Sequence, residues 1–457
     1  MSDISKKFPV LSIILFIMII SLINSIQNMI SPNLLPISSY FGFGGDTAPL
    51  GFLTFIFMIF TGISMLFFGY LADKLIRKWI VFSGSLIFSL FTIAIISVPE
   101  GIIGYNIFFL ITILTGIGYG SVIPSLFSLM ADIVSREDRS KGFSFFSIAS
   151  LFGTVLGTGM ASFLGGDWRF PFLLIGIVSL IGTLIFLLFR EPSRLGRDHL
   201  VMFQRDGIEY TYRIRISDLR VIFTKKSNLW LVINFVDTIP TGIILTLLFA
   251  YMEVFHGIGK EDTTIYLLAI FVSIILGTVF FGFIGDSFFK KGNKRARIWF
   301  AIFGNIAPIP FIFIGLVIPF QAPIIFPGIL IWIILFSIGM FINGAVSGNW
   351  YSTVVDLNLP EHRGTVLAAS NFFDIIGRAL GPLVGTIVAD AFGFVIGMMT
   401  SIFAWLLIPF FWISILKNAV KEINEVDSIF TERLKLPVGK SKQQELDLIQ
   451  WQAVKRK

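Results

Sequence analysis

The chain has 457 residues, 55% of them hydrophobic and only 14% charged, where a soluble protein of this length carries roughly 25%. That leaves too little polar surface to cover a water-exposed globule, so lipid is the natural solvent for most of it. The absence of cysteine excludes disulfides, thiolate nucleophiles and thiolate metal sites; His199, His256 and His362 lie too far apart in sequence, in or near predicted loops, to suggest a histidine-rich metal centre, and no cofactor is expected.

A helix needs about 20 apolar residues to cross the hydrocarbon core. Twelve stretches qualify, near 8–31, 49–72, 79–98, 105–133, 142–165, 170–190, 229–255, 264–285, 297–319, 323–350, 364–391 and 393–416. The first follows Lys6 and Lys7 without a small-residue cleavage site, and is expected to be a retained signal anchor. The fold class is therefore an all-α membrane protein of twelve transmembrane helices. It divides into a six-helix bundle over 1–190, a polar linker over 191–228, a second six-helix bundle over 229–416 and a basic tail over 417–457. In the linker, Asp206–Gly207 and the alternation Arg213, Ile214, Arg215, Ile216 suggest a short β-hairpin; an unstructured linker fits equally. Part of the tail can form an amphipathic helix on anionic lipid, or be solvated.

Lysine and arginine set the orientation. With both termini in the cytoplasm, the outside loops hold only Arg169 and Lys260, and Arg378 lies within a span; the other 32 of the 35 basic residues fall inside. The net charge of +7 is thus topogenic and implies no nucleic acid.

The halves repeat. Asp132, Glu137, Arg139, Gly153 and Gly157 precede Asp356, Glu361, Arg363, Gly377 and Gly381 by a constant 224 positions. Parallel six-span repeats, related by a pseudo-two-fold axis along the membrane normal, are a transporter architecture. After the second span comes Gly69-Tyr-Leu-Ala-Asp73-Lys-Leu-Ile-Arg77-Lys78, and after the eighth Gly282-Phe-Ile-Gly-Asp286-Ser-Phe-Phe-Lys290-Lys291. A small residue lets two helices approach, and an acid at the membrane surface can pair with cations or helix N-termini. Such pairs can latch one side in one conformation and release it in the other. The candidate cytoplasmic gate is Gly69, Asp73, Arg77, Lys78, Asp132, Arg139, Gly282, Asp286, Lys290, Asp356 and Arg363. The bland alternative is an ordinary positive-inside loop.

The two loops resemble the signature of the major facilitator superfamily, with Ile76 where that family usually has glycine. Gly166-Asp-Trp-Arg169 and Arg190-Glu-Pro-Ser-Arg194 are similar to signatures of its spinster-like branch, whose members move lysolipids, sphingolipids and related amphiphiles. The resemblance implies a major facilitator fold and a transport function. It does not extend to that branch's proton-linked charges. The first span has Asn24-Ser-Ile-Gln27-Asn28 in place of an Asp-Arg pair, and Thr112 and Tyr119 stand where the fourth span of the branch carries an arginine and a glutamate.

Buried charge falls instead in the second half: Asp237 in span seven, and Asp374 and Arg378 four apart in span eleven. Charge at such depth costs a few kcal/mol or more, and pairs or faces water. Arg378 is expected to pair with Asp374 or Asp237, and one acid to titrate or to bind substrate charge; a static ion pair between the two spans is the alternative. Asn24, Gln27, Asn28, Tyr119, Asn234, Asn343 and Asn349 are the further candidates for lining a substrate cavity, or for joining neighbouring helices. Glycines 153, 157, 377, 381 and 385 suit close helix crossings; Pro32, Pro124, Pro240 and Pro382 are hinges or tolerated kinks.

The expected function is secondary active transport of a small, amphipathic or lipid-like solute by alternating access. Membrane lipids and the solute are the partners, protons are the candidate coupling ion, and the carrier is a monomer in the cell membrane. Facilitative uniport, multidrug export and ligand sensing on the same fold are the alternatives. No Gly-x-x-x-x-Gly-Lys-Ser/Thr loop is present for ATP-driven pumping, and no nucleophile–base arrangement suggests an enzyme.

Overall fold

The computed structural model describes residues 2–133, 139–164, 166–191, 220 and 222–435. The proposed hairpin around 200–216 and the tail beyond residue 435 lie outside the described residues, as do the side chains of Asp73, Asp132, Arg139 and Arg363.

The described chain is nearly all helix, as a backbone in lipid must satisfy its polar groups internally. In chain order the helices are α1 (Ser2–Ser25), α2 (Leu34–Tyr40), α3 (Ala48–Lys74), α4 (Arg77–Ala94), α5 (Gly101–Ile133), α6 (Arg139–Phe163) and α7 (Phe170–Phe186). The second half holds α8 (Lys226–Ile233), α9 (Ile239–His256), α10 (Lys260–Lys290), α11 (Ala296–Ile306), α12 (Pro308–Val317), α13 (Gly328–Asn343), α14 (Ala345–Leu357), α15 (Pro360–Phe392) and α16 (Phe394–Lys435). Ten helical stretches among the described residues are long and apolar enough to cross a membrane, and two shorter apolar helices, Ile148–Phe163 and Phe170–Phe186, supply the fifth and sixth spans. Short connections make consecutive spans antiparallel. One face therefore gathers Arg77, Lys290 and Arg297, and is called the basic end; the other gathers Arg169, Lys260 and Asp390.

The boundaries differ from the sequence expectation where proline intervenes. The tenth span begins at Gly328 rather than 323, because Pro323 and Pro327 cannot supply helical N–H groups, and it continues to Leu357. The last helix runs 42 residues, well past the predicted 416. Large apolar side chains face outward, among them Phe283 at 74% and Phe403 at 67% exposed, as a lipid-facing surface requires.

The first span of each half is broken. In the first half, Asn24 Nδ2 and Ser25 Oγ donate back to Ile20 O and Leu22 O, a local pairing that competes with the helical ladder. The chain then tightens into 3₁₀ turns at Ile26–Asn28 and, around Pro32, Ser31–Asn33. In the second half, α8 gives way to a 3₁₀ segment, Asn234–Thr238. There Thr238 Oγ1 donates to Phe235 O, and Pro240 begins the next helix without an N–H.

Glycines seat both breaks. A Cβ added at Gly153 or Gly157 would lie 2.3 and 1.9 Å from Ser21 O and Ser25 O; one at Gly377 or Gly381 would lie 2.3 and 2.6 Å from Phe235 O and Ile239 O. Ser21 and Phe235, and Ser25 and Ile239, are each 214 positions apart. The repeat seen in the sequence is thus a repeat of packing, fifth span on first and eleventh on seventh.

Candidate functional site

The halves are joined by a seam at the opposite end. Ser31 Oγ donates to Leu245 O at 2.5 Å and Thr246 O at 2.9 Å. Lys260 Nζ donates to Asn33 Oδ1 at 2.7 Å, and Thr264 Oγ1 to Ser162 Oγ at 2.6 Å. The strongest link is Asp390. Its carboxylate accepts from Thr47 N, Thr47 Oγ1 and, at 2.6 Å, Ala48 N, and so caps α3 from the other half. That helix has no acid in its first turn and no side-chain cap from its own N-cap residue. Every hydrogen bond described between the halves lies in this seam. Lower in the molecule α3 still packs on α15, with Gly62 beside Phe372 and Ile375, while Tyr70, Tyr351 and Arg378 are exposed.

Beneath the seam two polar groups face each other. From the first half, Tyr119 Oη on α5 donates to Asn24 Oδ1 at 2.9 Å, and Gln27 approaches the same hydroxyl. Gln27 also borders a mostly apolar cavity with Thr54, Phe57, Phe108 and Thr112. From the second half, Asn234 Nδ2 donates to Asp237 Oδ2 at 2.7 Å, while the buried Asn234 Oδ1 has no hydrogen-bond partner among the described residues. Thr238 Oγ1 donates to Asp374 O at 2.9 Å, placing Asp237 and Asp374 within electrostatic reach of each other. Arg378 acts on both acids and, across the gap, on Tyr119. The expected direct pairing of Arg378 is not made: among the described residues it has no ion-pair partner, and its side chain is exposed.

The other candidates stand apart. Asn28 donates to Thr154 Oγ1 at 3.4 Å. Asn343 donates to Gly304 O at 3.1 Å, and the buried Asn349 to Ala345 O at 2.8 Å and Phe281 O at 3.4 Å. These three join neighbouring helices.

At the basic end the described pairs lie within halves. Arg77 is 3% exposed, and its Nε donates to Glu191 Oε1 at 3.0 Å and its Nη1 to Ser128 Oγ at 2.9 Å. Glu191 also accepts from Lys78 N at 2.9 Å, so one acid neutralises Arg77 and caps α4. Lys78 Nζ donates to Leu187 O at 2.7 Å. Arg297, which the sequence offered only as a topogenic charge, joins Asp286 at 2.6 Å to Asp356 and lies over the Phe289 ring at 4.0 Å. Lys290 is exposed. Gly69 is in ordinary contact with Pro124 and Gly282 in open space; the tight approach in this region is made by Gly277 and Gly285, where a Cβ would meet Phe341 O at 1.8 Å and Asn349 Oδ1 at 2.2 Å.

The turn Gly166-Asp-Trp-Arg169 is a brace. Arg169 holds Asp167 at 2.8 Å and donates to Tyr40 Oη and Val98 O. The Arg169 hydrogen bond keeps the Asp167 carboxyl below the usual carboxylate range. The stability this pair adds is full above the ordinary carboxylate pKa and is lost as pH falls through the lowered one. Asp167→Asn is expected to lower the thermal midpoint by no more than a few °C at neutral pH, since the pair is partly exposed. Thermal scans of both chains against pH check this: the gap should close on acidification.

The sequence profile of the Major Facilitator Superfamily matches residues 14–382. The chain belongs to the Major Facilitator Superfamily. Its fold and family are those of membrane transporters. The chain is 25% identical over 258 residues to the uncharacterized transporter YybO of Bacillus subtilis, 54% of this chain and 58% of that protein, so the match spans little more than half of that relative. It is 23% identical to the cis,cis-muconate transport protein of Acinetobacter baylyi, over 78% of this chain and 85% of that one, and 24% identical to the quinolone resistance protein NorA of Staphylococcus aureus, over 75% and 81%. Among solved structures, a bacterial homolog of the human lysosomal transporter Spinster, inward-facing and unoccupied, superposes with a TM-score of 0.77 at 16% identity, covering 91% of this chain and 98% of that one. The similarity to spinster-like proteins seen in the sequence thus holds at the level of fold.

Proposed function

We propose that this chain is a secondary transporter that carries a small amphipathic organic solute by alternating access, coupled to protons, in the cell membrane with both termini inside. The observation that carries this reading is the pair of polar groups facing each other beneath a seam that carries every described hydrogen bond between the halves. On the proposed orientation the seam lies at the outer face, so the described conformation is closed to the outside. Asn24, Gln27 and Tyr119 from one half, and Asn234, Asp237, Asp374 and Arg378 from the other, form the substrate and coupling site. Discontinuous helices at the midplane, as at Ile26–Asn28 and Asn234–Thr238, are where transporters of this kind bind their cargo. The acids of the basic end act as supports within each half, and rocking about the seam exposes the site alternately.

The relatives' names suggest the probes: cis,cis-muconate, a quinolone and a lysolipid, presented to proteoliposomes of the full chain. Uptake of at least one is expected to rise with a proton gradient. Asp237→Asn or Asp374→Asn should reduce that gradient-driven part about tenfold or more while leaving exchange of labelled for unlabelled cargo. Uptake that ignores an imposed pH gradient in the native chain would rule out proton coupling and leave uniport on the same fold.

A further inference from the structure

Resting on that reading of the central site, we propose that Arg378 is the docking point for a singly charged oxyanion on an apolar body, a carboxylate in the first instance, and that each anion crosses together with one proton. Arg378 presents a planar guanidinium whose donors match an oxyanion two at a time. It has no ion-pair partner among the described residues although two acids lie within its electrostatic reach, and Oδ2 of Asp237 accepts from Asn234 instead. Its side chain is exposed. Arg378 and Asp374 also act on Tyr351, 49% exposed on α14. Five residues earlier on α15, Phe373 is 36% exposed and packs on Phe235 at 5.8 Å. The free donor fork thus has the half-exposed Tyr351 ring within its reach, which suits an anion with an apolar body better than a small inorganic ion.

The coupling follows from charge. With both acids ionised, two carboxylates and one guanidinium give the empty site a net charge of −1. An oxyanion on Arg378 makes it −2, in a chamber that must shed water to change sides, and uncompensated charge in the membrane is costly. One proton from the solution on the entry side, placed on a carboxylate oxygen of Asp237 or Asp374, restores −1. Release of anion and proton on the far side returns the carrier to its starting charge. Loaded and empty carriers then carry equal charge across the bilayer, so transport is electroneutral.

The test uses 4-phenylbutyrate, 4-phenylbutanol and 4-phenylbutylamine, which share one apolar body and differ in charge, with the full-length protein. The anion is expected to raise the thermal midpoint of the native chain. At least tenfold more of it should be needed for Arg378→Gln, with partial rescue in Arg378→Lys. In proteoliposomes its uptake should respond to a pH gradient and not to a potassium–valinomycin potential of either sign. Preference for the amine, abolished by Asp237→Asn, would overturn the anion assignment while leaving the central site in place. A potential-dependent flux would overturn the one-to-one stoichiometry. Absence of binding by the anion, or binding that Arg378→Gln leaves unchanged, would overturn the docking role. The gradient-driven flux of the muconate, quinolone or lysolipid probes judges the broader reading separately.

Discussion

Replacing Gly157 by alanine is expected to be among the most damaging single-methyl additions in the first half. The new Cβ would stand 1.9 Å from Ser25 O, 2.6 Å from Ser25 C and 2.8 Å from Ser25 Cα. All three are backbone, so no side chain can rotate away. Relief requires α6 to move off the broken first span, and overpacking of this kind costs about 1–3 kcal/mol or more. Gly159, two residues along the same helix, has nothing within 4 Å of its would-be Cβ, and alanine there should stabilise by up to about 1 kcal/mol through helix propensity. Gly381→Ala, whose nearest contact would be 2.6 Å, should fall between. The measurement is the thermal midpoint and the yield of monodisperse protein in detergent. Equal behaviour of Gly157→Ala and Gly159→Ala would show that the crossing is looser than described.

That contrast also marks how far the sequence could be read. The spans were legible because lipid demands long apolar helices. The paired halves were legible because the glycines and acids recur at a constant 224 positions. Which glycines seat a helix crossing was only partly so. Gly153, Gly157, Gly377 and Gly381 do, whereas Gly282 stands in open space and Gly285 makes the contact instead. A motif records spacing along the chain; the contact depends on how the helix is rotated. Residue type and depth also picked out Asn24, Tyr119, Asn234, Asp237, Asp374 and Arg378, which the structure brings together beneath the seam and whose role in transport is the proposal above. The same criterion also drew in Asn343 and Asn349, since burial cannot distinguish a side chain facing a cavity from one bonded to the next helix. Arg297 was hidden because a basic residue at a span end already has a topogenic explanation. Glu191 lay inside a recognised motif, yet its cap on α4 appears only when the ends of spans three and six come together. Asp390 left no local signal, because its partners lie 342 and 343 positions away.

Asp390→Ala is expected to shift the carrier toward the state open at the end that bears it. Among the described hydrogen bonds of the seam, the Asp390 contacts alone place an anion on a helix N-terminus. Losing an N-cap costs about 0.5–2 kcal/mol, and losing a negative charge at that position roughly 0.3–1 kcal/mol more. The loss falls on the closed arrangement alone, since an Asp390 moved away with α15 no longer reaches Thr47 and Ala48. A bias of about 1.4–2 kcal/mol multiplies the population of the opposite state about ten- to thirtyfold. The absence of native cysteine makes the readout direct: Thr246→Cys places a thiol beside the Ser31 contacts, whose acceptors are backbone carbonyls that survive the change. Its labelling by a membrane-impermeant maleimide added at the Asp390 side should accelerate about tenfold when Asp390→Ala is added. Asp390→Asn, which keeps one acceptor oxygen and loses the charge, should give a smaller acceleration. If Asp390→Ala and the native carboxylate label at the same rate, the seam is held by shape, through contacts such as Gly51 against Thr386 and Pro382, and the carboxylate is only a cap on α3.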